Sequence, residues 1–156
     1  MYIPITKERK TLERILNSKT PDKIYEQFAG EIILIESRNS SYDYRHNLAC
    51  RWYAFTQQGK PIPYDYNNLY YKNRNELRGI GLEEIDFNEL KKDDLVVYFR
   101  KAKIGWFPQM VPIQTARWIG NGMIRHKLGE LDIIKSPYNL IQESFGKELR
   151  CYRETR

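Results

Sequence analysis

The chain has 156 residues, a hydrophobic fraction of 41% and a net charge of +6, which is the size and composition of one folded domain. No stretch approaches the ~18 consecutive apolar residues of a membrane span, and no apolar segment follows the charged N-terminus as in a secretory signal. Two cysteines are too few for a disulfide scaffold, so we expect a cytoplasmic protein, or one delivered into a cell without a signal peptide.

The first half of the chain predicts helices. Apolar spacing predicts one over residues 7–16, and Thr20, Pro21 and the closing Gly30 delimit a second. Residues 32–35 are an apolar, β-branched run that predicts either a buried strand or an extended connection. A third helix is predicted over residues 47–59, capped by Asn47. We therefore expect a single domain, 1–156, with a helical extension over residues 1–30 and a core over residues 31–156.

The second half predicts an antiparallel sheet. Between residues 67 and 76 one more short helix is expected, and Ser136 or Pro137 is expected to open a last one. Strands are predicted over residues 95–100, 113–119, 123–127 and 148–152. Gly120-Asn121-Gly122 is typical of a tight hairpin turn. Helices followed by an antiparallel meander predict an α+β fold.

Cys50 falls in the first turn of the third predicted helix. Unpaired backbone N–H groups and the helix dipole favour an anion there, so the thiol pKa would fall and a nucleophile would form. The alternative is an inert cysteine, because free cysteine is among the most buried residue types. The local sequence leaves both interpretations open.

Three segments occur in the order found in a known group of enzymes. They read NLACRWYAF at residues 47–55, LKKDDLVVYF at residues 90–99 and QTARWIGNGMIRH at residues 114–126. They resemble the nucleophile helix, the L-x-x-G-D-L-V-x-F strand entry and the H-V-G-I-Y-I-G-N-G-x-x-x-H hairpin of the NlpC/P60 and CHAP cysteine hydrolases. Asp93 replaces the usual Gly. The resemblance covers roughly residues 42–153 and implies a papain-like fold.

The resemblance also implies a mechanism. Cys50 would attack the carbonyl of a peptide or isopeptide bond, and His126 would occupy the third catalytic position. Tyr42 or Tyr44 would assist an oxyanion hole, with Asn47 beside the nucleophile. No cofactor is implied, and no cysteine–histidine spacing typical of a metal site occurs.

The general-base position of the group is Gln114 in this chain. A glutamine amide does not titrate near neutral pH and cannot accept the thiol proton. Three explanations remain open: an inactive scaffold that binds or inhibits a protein, a base role taken by His126 or His46, or a glutamine introduced to trap a complex. The predicted function is an amide-cleaving cysteine hydrolase-type domain, and the alternative is the protein-binding scaffold.

Aromatic side chains supply the candidates for a partner surface. Tyr64, Tyr66, Tyr70 and Tyr71 stand among amide and basic residues, and Trp106 lies between two predicted strands. Such rings anchor interfaces or stack on bases, although they also pack on cores. We expect a peptide or protein partner and no membrane. A basic nucleic-acid-binding protein is the second alternative, weakened by the dispersal of the charges.

Overall fold

The computed structural model describes residues 33–36, 49–56, 61–127, 133–139, 142 and 146–155. The helices expected over residues 7–16 and 20–30 lie outside these ranges, as do Tyr42, Tyr44 and Asn47. None of the helices in the described ranges is long and apolar enough to cross a membrane.

One antiparallel sheet organises the described residues, and a few short helices pack on it. The sheet has seven strands in the order β1-β6-β5-β4-β3-β7-β2. The strands are β1 (Ile33–Glu36), β2 (Leu82–Ile85), β3 (Leu95–Ile104), β4 (Phe107–Gly120), β5 (Met123–Lys127), β6 (Ile133–Pro137) and β7 (Glu148–Glu154). The helices are α1 (Ala49–Thr56), α2 (Arg74–Gly79) and two 3-10 helices, Tyr66–Tyr71 and Phe87–Glu89. The predicted α+β class is confirmed.

The middle of the sheet is β3, which pairs with β4 on one side and β7 on the other. Its apolar run over residues 95–99 is fully buried because both faces of the sheet are covered here. Between Tyr98 and Phe99 the pairing with β4 shifts by one residue: Gln114 lies opposite Tyr98, and Pro112 lies opposite Phe99. Ile113 is therefore the extra residue of a β-bulge, a device that redirects neighbouring side chains.

Two tight turns build the β3–β4–β5 meander. Ile104 pairs with Phe107 across Gly105, which has a φ of 64°, as the first central residue of a type II′ turn requires. Gly120 pairs with Met123 across Asn121 and Gly122, and both of these loop residues have positive φ. That conformation is a type I′ turn, and the predicted hairpin at this position is confirmed.

The helix face of the sheet, as we call the side covered by α1, α2 and the longer 3-10 helix, carries the main hydrophobic core. Val97 and Phe99 of β3 belong to it, and Thr115 lies opposite Val97 on β4. Because side chains alternate along a strand, Arg117 shares this face. The core consists of Ala54, Phe55, Tyr66, Leu69, Leu77, Leu82, Leu95, Val97, Phe99 and Tyr152.

The far face, on the opposite side of the sheet, carries Tyr98 and Gln114, which lie opposite each other on β3 and β4. Trp118 contacts Phe87 and Tyr138 there, with ring centroids 5.5 and 6.0 Å away. The hydroxyl of Tyr98 donates to the Tyr138 carbonyl at 3.0 Å. Aromatic packing and the Tyr98–Tyr138 hydrogen bond thus help to close this side of the sheet.

The helix expected between residues 67 and 76 divides into two. The 3-10 helix ends at Tyr71, and Asn73 opens α2 with a capping box. The Asn73 side chain accepts from the Glu76 N–H at 2.9 Å, and the Glu76 carboxylate accepts from the Asn73 N–H at 3.1 Å. This reciprocal cap satisfies two otherwise unpaired donors, so a new helix starts where continuation was predicted.

Candidate functional site

Two arginines fix α1 against β4. The Arg51 guanidinium donates to the Pro112 carbonyl at 3.1 Å and stacks over Tyr66 at 4.8 Å. Near the other end of the helix, Arg117 Nε donates to the Ala54 carbonyl at 2.8 Å. The last carbonyls of a helix have no partner within the helix, so Arg117 acts as a cap supplied by the sheet. The two contacts hold Cys50 at the level of Thr115.

Cys50 is buried, with 4% of its surface exposed. Burial raises the pKa of its thiol, while a hydrogen bond from the Thr115 backbone and the neighbouring charge of Arg51 lower it in part. The net direction is upward, so the thiol keeps its proton at neutral pH.

The Thr115 N–H reaches the sulfur because β4 and β5 are no longer paired at this level. The pairing between these strands runs from Gly120 with Met123 to Arg117 with Arg125. Successive N–H groups of an antiparallel strand point alternately to its two neighbours. Trp118 donates to Asp94 on the β3 side, so Thr115 points to the β5 side, where the sulfur accepts its hydrogen bond.

On the far face, Gln114 and His126 are joined directly. Gln114 Nε2 lies 3.1 Å from His126 Nδ1, and His126 Nε2 lies 2.8 Å from Ser136 Oγ. The three residues come from β4, β5 and β6, and each has at most 2% of its surface exposed. The contact between residues 114 and 126 fits the twelve-residue spacing in the sequence. Ser136 carries no sequence signal that links it to this pair.

The hydrogen bonds define the protonation of His126. The amide nitrogen of Gln114 only donates, so Nδ1 accepts and the ring proton lies on Nε2, from which it is given to Ser136. Burial lowers the pKa of His126 from 6.5 to about 3. A neutral ring with both nitrogens engaged neither takes up nor releases a proton near pH 7.

The two halves of the expected trio meet different sides of β4. The Thr115 hydroxyl bonds Tyr66 at 2.6 Å on the helix face, and α1, the helix that carries Cys50, packs on that face. Gln114 and His126 point to the far face, because strand side chains alternate. The structure therefore brings Gln114 and His126 together and places Cys50 at the adjacent peptide group.

The candidates for a partner surface divide by exposure. Tyr66 was offered as one of them, and this is wrong: it is 4% exposed because its ring packs in the core and its hydroxyl bonds Thr115. Tyr70 is half-buried, with Arg150 stacked 3.7 Å above its ring. Tyr64 is 85% exposed, Tyr71 54% and Trp106 90%.

Within the described ranges, no three histidine, cysteine or acidic side chains converge as metal ligands would. Comparison with protein-family models, curated proteins and solved structures finds no match to this chain.

We expect His126 to make folding sensitive to acid. Below pH 6.5 the unfolded chain takes up a proton that the buried ring refuses until about pH 3, so protons favour unfolding across that window. The contribution to the slope of unfolding free energy against pH is about 1.4 kcal/mol per unit. We would measure the free energy of unfolding by urea titration at several pH values between these limits. The His126→Gln variant should have a slope against pH that is smaller by that amount, whatever the absolute stability of the variant. Parallel curves would contradict the buried neutral ring.

Proposed function

We propose that this chain is a binding protein built on a degenerate papain-like scaffold. Cys50, Gln114 and His126, which correspond to the catalytic residues of the hydrolases, stabilise the fold instead. One observation carries the proposal: Gln114 occupies the expected base position and donates an amide N–H to His126, 3.1 Å away. Nothing in this pair takes a proton from a thiol near pH 7. Cys50 itself lies on α1, which packs on the other face of the sheet, and burial raises the pKa of its thiol.

A backbone feature supports the relationship to the NlpC/P60 and CHAP group. Asp93 replaces the glycine of that group's strand entry, and its φ is 73°, in the left-handed region that favours glycine. The next residue, Asp94, is buried and accepts two hydrogen bonds from Arg153, at 2.7 and 3.0 Å. The backbone at this position thus has the left-handed conformation that glycine favours, although the residue is Asp93.

An apolar groove supplies the place for a peptide partner. It encloses about 310 Å³ and is lined chiefly by Phe55, Ile62, Pro63, Tyr64, Ile80 and Leu82. Its size and lining are those of small binding sites, in which few polar groups accompany apolar walls. The adjoining strand β2 ends the described sheet, with β7 as its neighbour, and such an edge accepts an extended peptide as a further strand.

Polar groups next to the groove fit a peptide better than an anion. Glu154 lines the groove and forms an ion pair with Arg117, whose guanidinium also lies over Phe55 at 5.5 Å. The charge of Arg117 is therefore already balanced. Its Nη2 is buried without a hydrogen-bond partner in the described part of the chain. That atom does not line the groove, and Glu154 is the charged residue that does, so the groove wall does not favour an anion.

A cysteine hydrolase is the second candidate function. It is favoured by the hydrogen bond from Thr115 and by the charge of Arg51, both of which lower the pKa of Cys50. These are the influences that activate a thiol at the start of a helix. A conformational change that opened the site would be needed before a substrate reached the sulfur, which is 4% exposed here.

Thiol labelling separates the two functions. In the binding protein, Cys50 should react with iodoacetamide no faster than Cys151, because both are buried and burial raises the pKa of both, that of Cys151 to about 12. Rates are measured on Cys50→Ala and Cys151→Ala, each of which keeps one thiol. Rapid labelling of Cys50, with a pH midpoint below the ordinary ~8.5, would instead favour the hydrolase.

Peptide selection tests the groove. A displayed library of random peptides, panned on the folded chain, should yield apolar sequences that bind with an affinity reduced about tenfold by Tyr64→Ala, since exposed aromatic anchors contribute about 1–3 kcal/mol. Tyr71→Ala is the matched control, because Tyr71 is also exposed but does not line the groove. Peptides equally sensitive to both substitutions, or to neither, would refute this placement.

A further inference from the structure

The outer half of the β3–β4 hairpin stands apart from the rest of the described sheet. Strand β7 pairs with β3 only as far as Phe99, and β5 pairs with β4 only from Arg117 onward. Over residues 100–111 the two strands pair with each other alone in the described ranges. We call this two-stranded segment the ribbon.

The ribbon carries three basic residues and no acidic residue. Six basic residues and no acidic residue occur over residues 95–129, whereas the rest of the chain has equal numbers of the two signs. Arg100, Lys101 and Lys103 lie on the ribbon, and both lysines are exposed. The charge dispersal noted for the whole sequence therefore does not hold here, and a local positive patch attracts a polyanion.

Exposed aromatic rings accompany the charge. Trp106 is 90% exposed and Phe107 72%, and the turn at Gly105 presents them at the tip of the ribbon. At the other end, the Met110 N–H donates to the Tyr71 hydroxyl at 2.8 Å. This bond attaches Tyr71, itself 54% exposed, to the edge of β4. Two of the tyrosine and tryptophan candidates thus lie along one ribbon.

The rings and the lysines form a linear arrangement. Lys101 and Lys103 lie opposite Met110 and Pro108, so both point to one face, about 7 Å apart at 3.4 Å per residue. Phe107 is next to Pro108 on β4 and therefore points to the other face. From Met110, where Tyr71 is attached, to Phe107, the neighbour of Trp106 at the tip, the strand rises about 10 Å. A nucleic-acid strand offers phosphates and bases in such an extended series.

We propose that the ribbon binds single-stranded nucleic acid: Lys101 and Lys103 contact phosphates, and Trp106 and Tyr71 stack on bases. Stacking on aromatic side chains beside a basic track is how single strands are held without sequence preference. An anionic membrane fits less well, because insertion needs apolar rings at one end, whereas Tyr71 lies away from the tip. The ribbon shares no lining residue with the peptide groove, and the proposal is independent of it.

Fluorescence anisotropy with a labelled oligothymidylate of about 20 nucleotides, longer than one ~4–16 nucleotide site, tests this. Trp106→Ala should weaken binding about tenfold, the loss of one stacked base. Lys101→Met with Lys103→Met should reduce the slope of log affinity against log salt by about 1.4, since each phosphate contact contributes about 0.7.

Control variants distinguish a specific effect of the ribbon residues on binding from the effect of a lower net charge. Lys91→Met with Lys92→Met removes the same charge from two exposed lysines elsewhere, and Tyr64→Ala removes an exposed ring elsewhere. Both should bind like the unmodified chain. Equal loss in the control pair would overturn the proposal, and so would no oligonucleotide binding, tighter binding of a duplex, or binding only of phosphatidylserine vesicles.

Discussion

A buried imidazole that is hydrogen-bonded through both ring nitrogens is the constraint on which this structure depends. Each buried polar group needs a partner, and an unsatisfied one costs about 1–3 kcal/mol. Gln114 donates to one nitrogen of His126 and Ser136 accepts from the other. Three strands are thereby tied together on the far face. The bulge at Ile113 sets the direction of Gln114, so the strand register and the hydrogen-bond network specify one another.

The opposite face of β4 holds the helix. Arg51 and Arg117 attach α1 to the strand, and Cys50 accepts from the peptide group next to Gln114. Strand β4 thus provides the hydrogen bond to the Cys50 thiol and also carries Gln114, the first member of the polar network on the far face. Separation of the thiol from the histidine suits a scaffold that binds. In the binding protein that we propose, the apolar groove and the basic ribbon would serve two different kinds of partner.

Several of these features could be predicted from the sequence, because local chemistry encodes them. The bounds of β5 and the turn before it follow from alternation and from Asn121-Gly122. The strand β2, LEEI, was missed because two exposed acids separate its buried ends and hide the alternation. Ser136 or Pro137 was expected to open a helix; both residues end β6, and helical residues follow directly at Tyr138 and Asn139. The Ile113 bulge determines which face of β4 each polar residue occupies, and no pattern in the sequence predicts this bulge.

The protonation of His126 is measured most directly by NMR titration of the chain with 15N-labelled histidine, and a His46→Gln variant assigns the signals of the two histidines. The account predicts the Nε2–H tautomer, with shifts unchanged from pH 8 down to about 4, because burial lowers the pKa to about 3. A midpoint near the ordinary value of about 6.5 would show an imidazole free to act as a base, and would contradict the closed network.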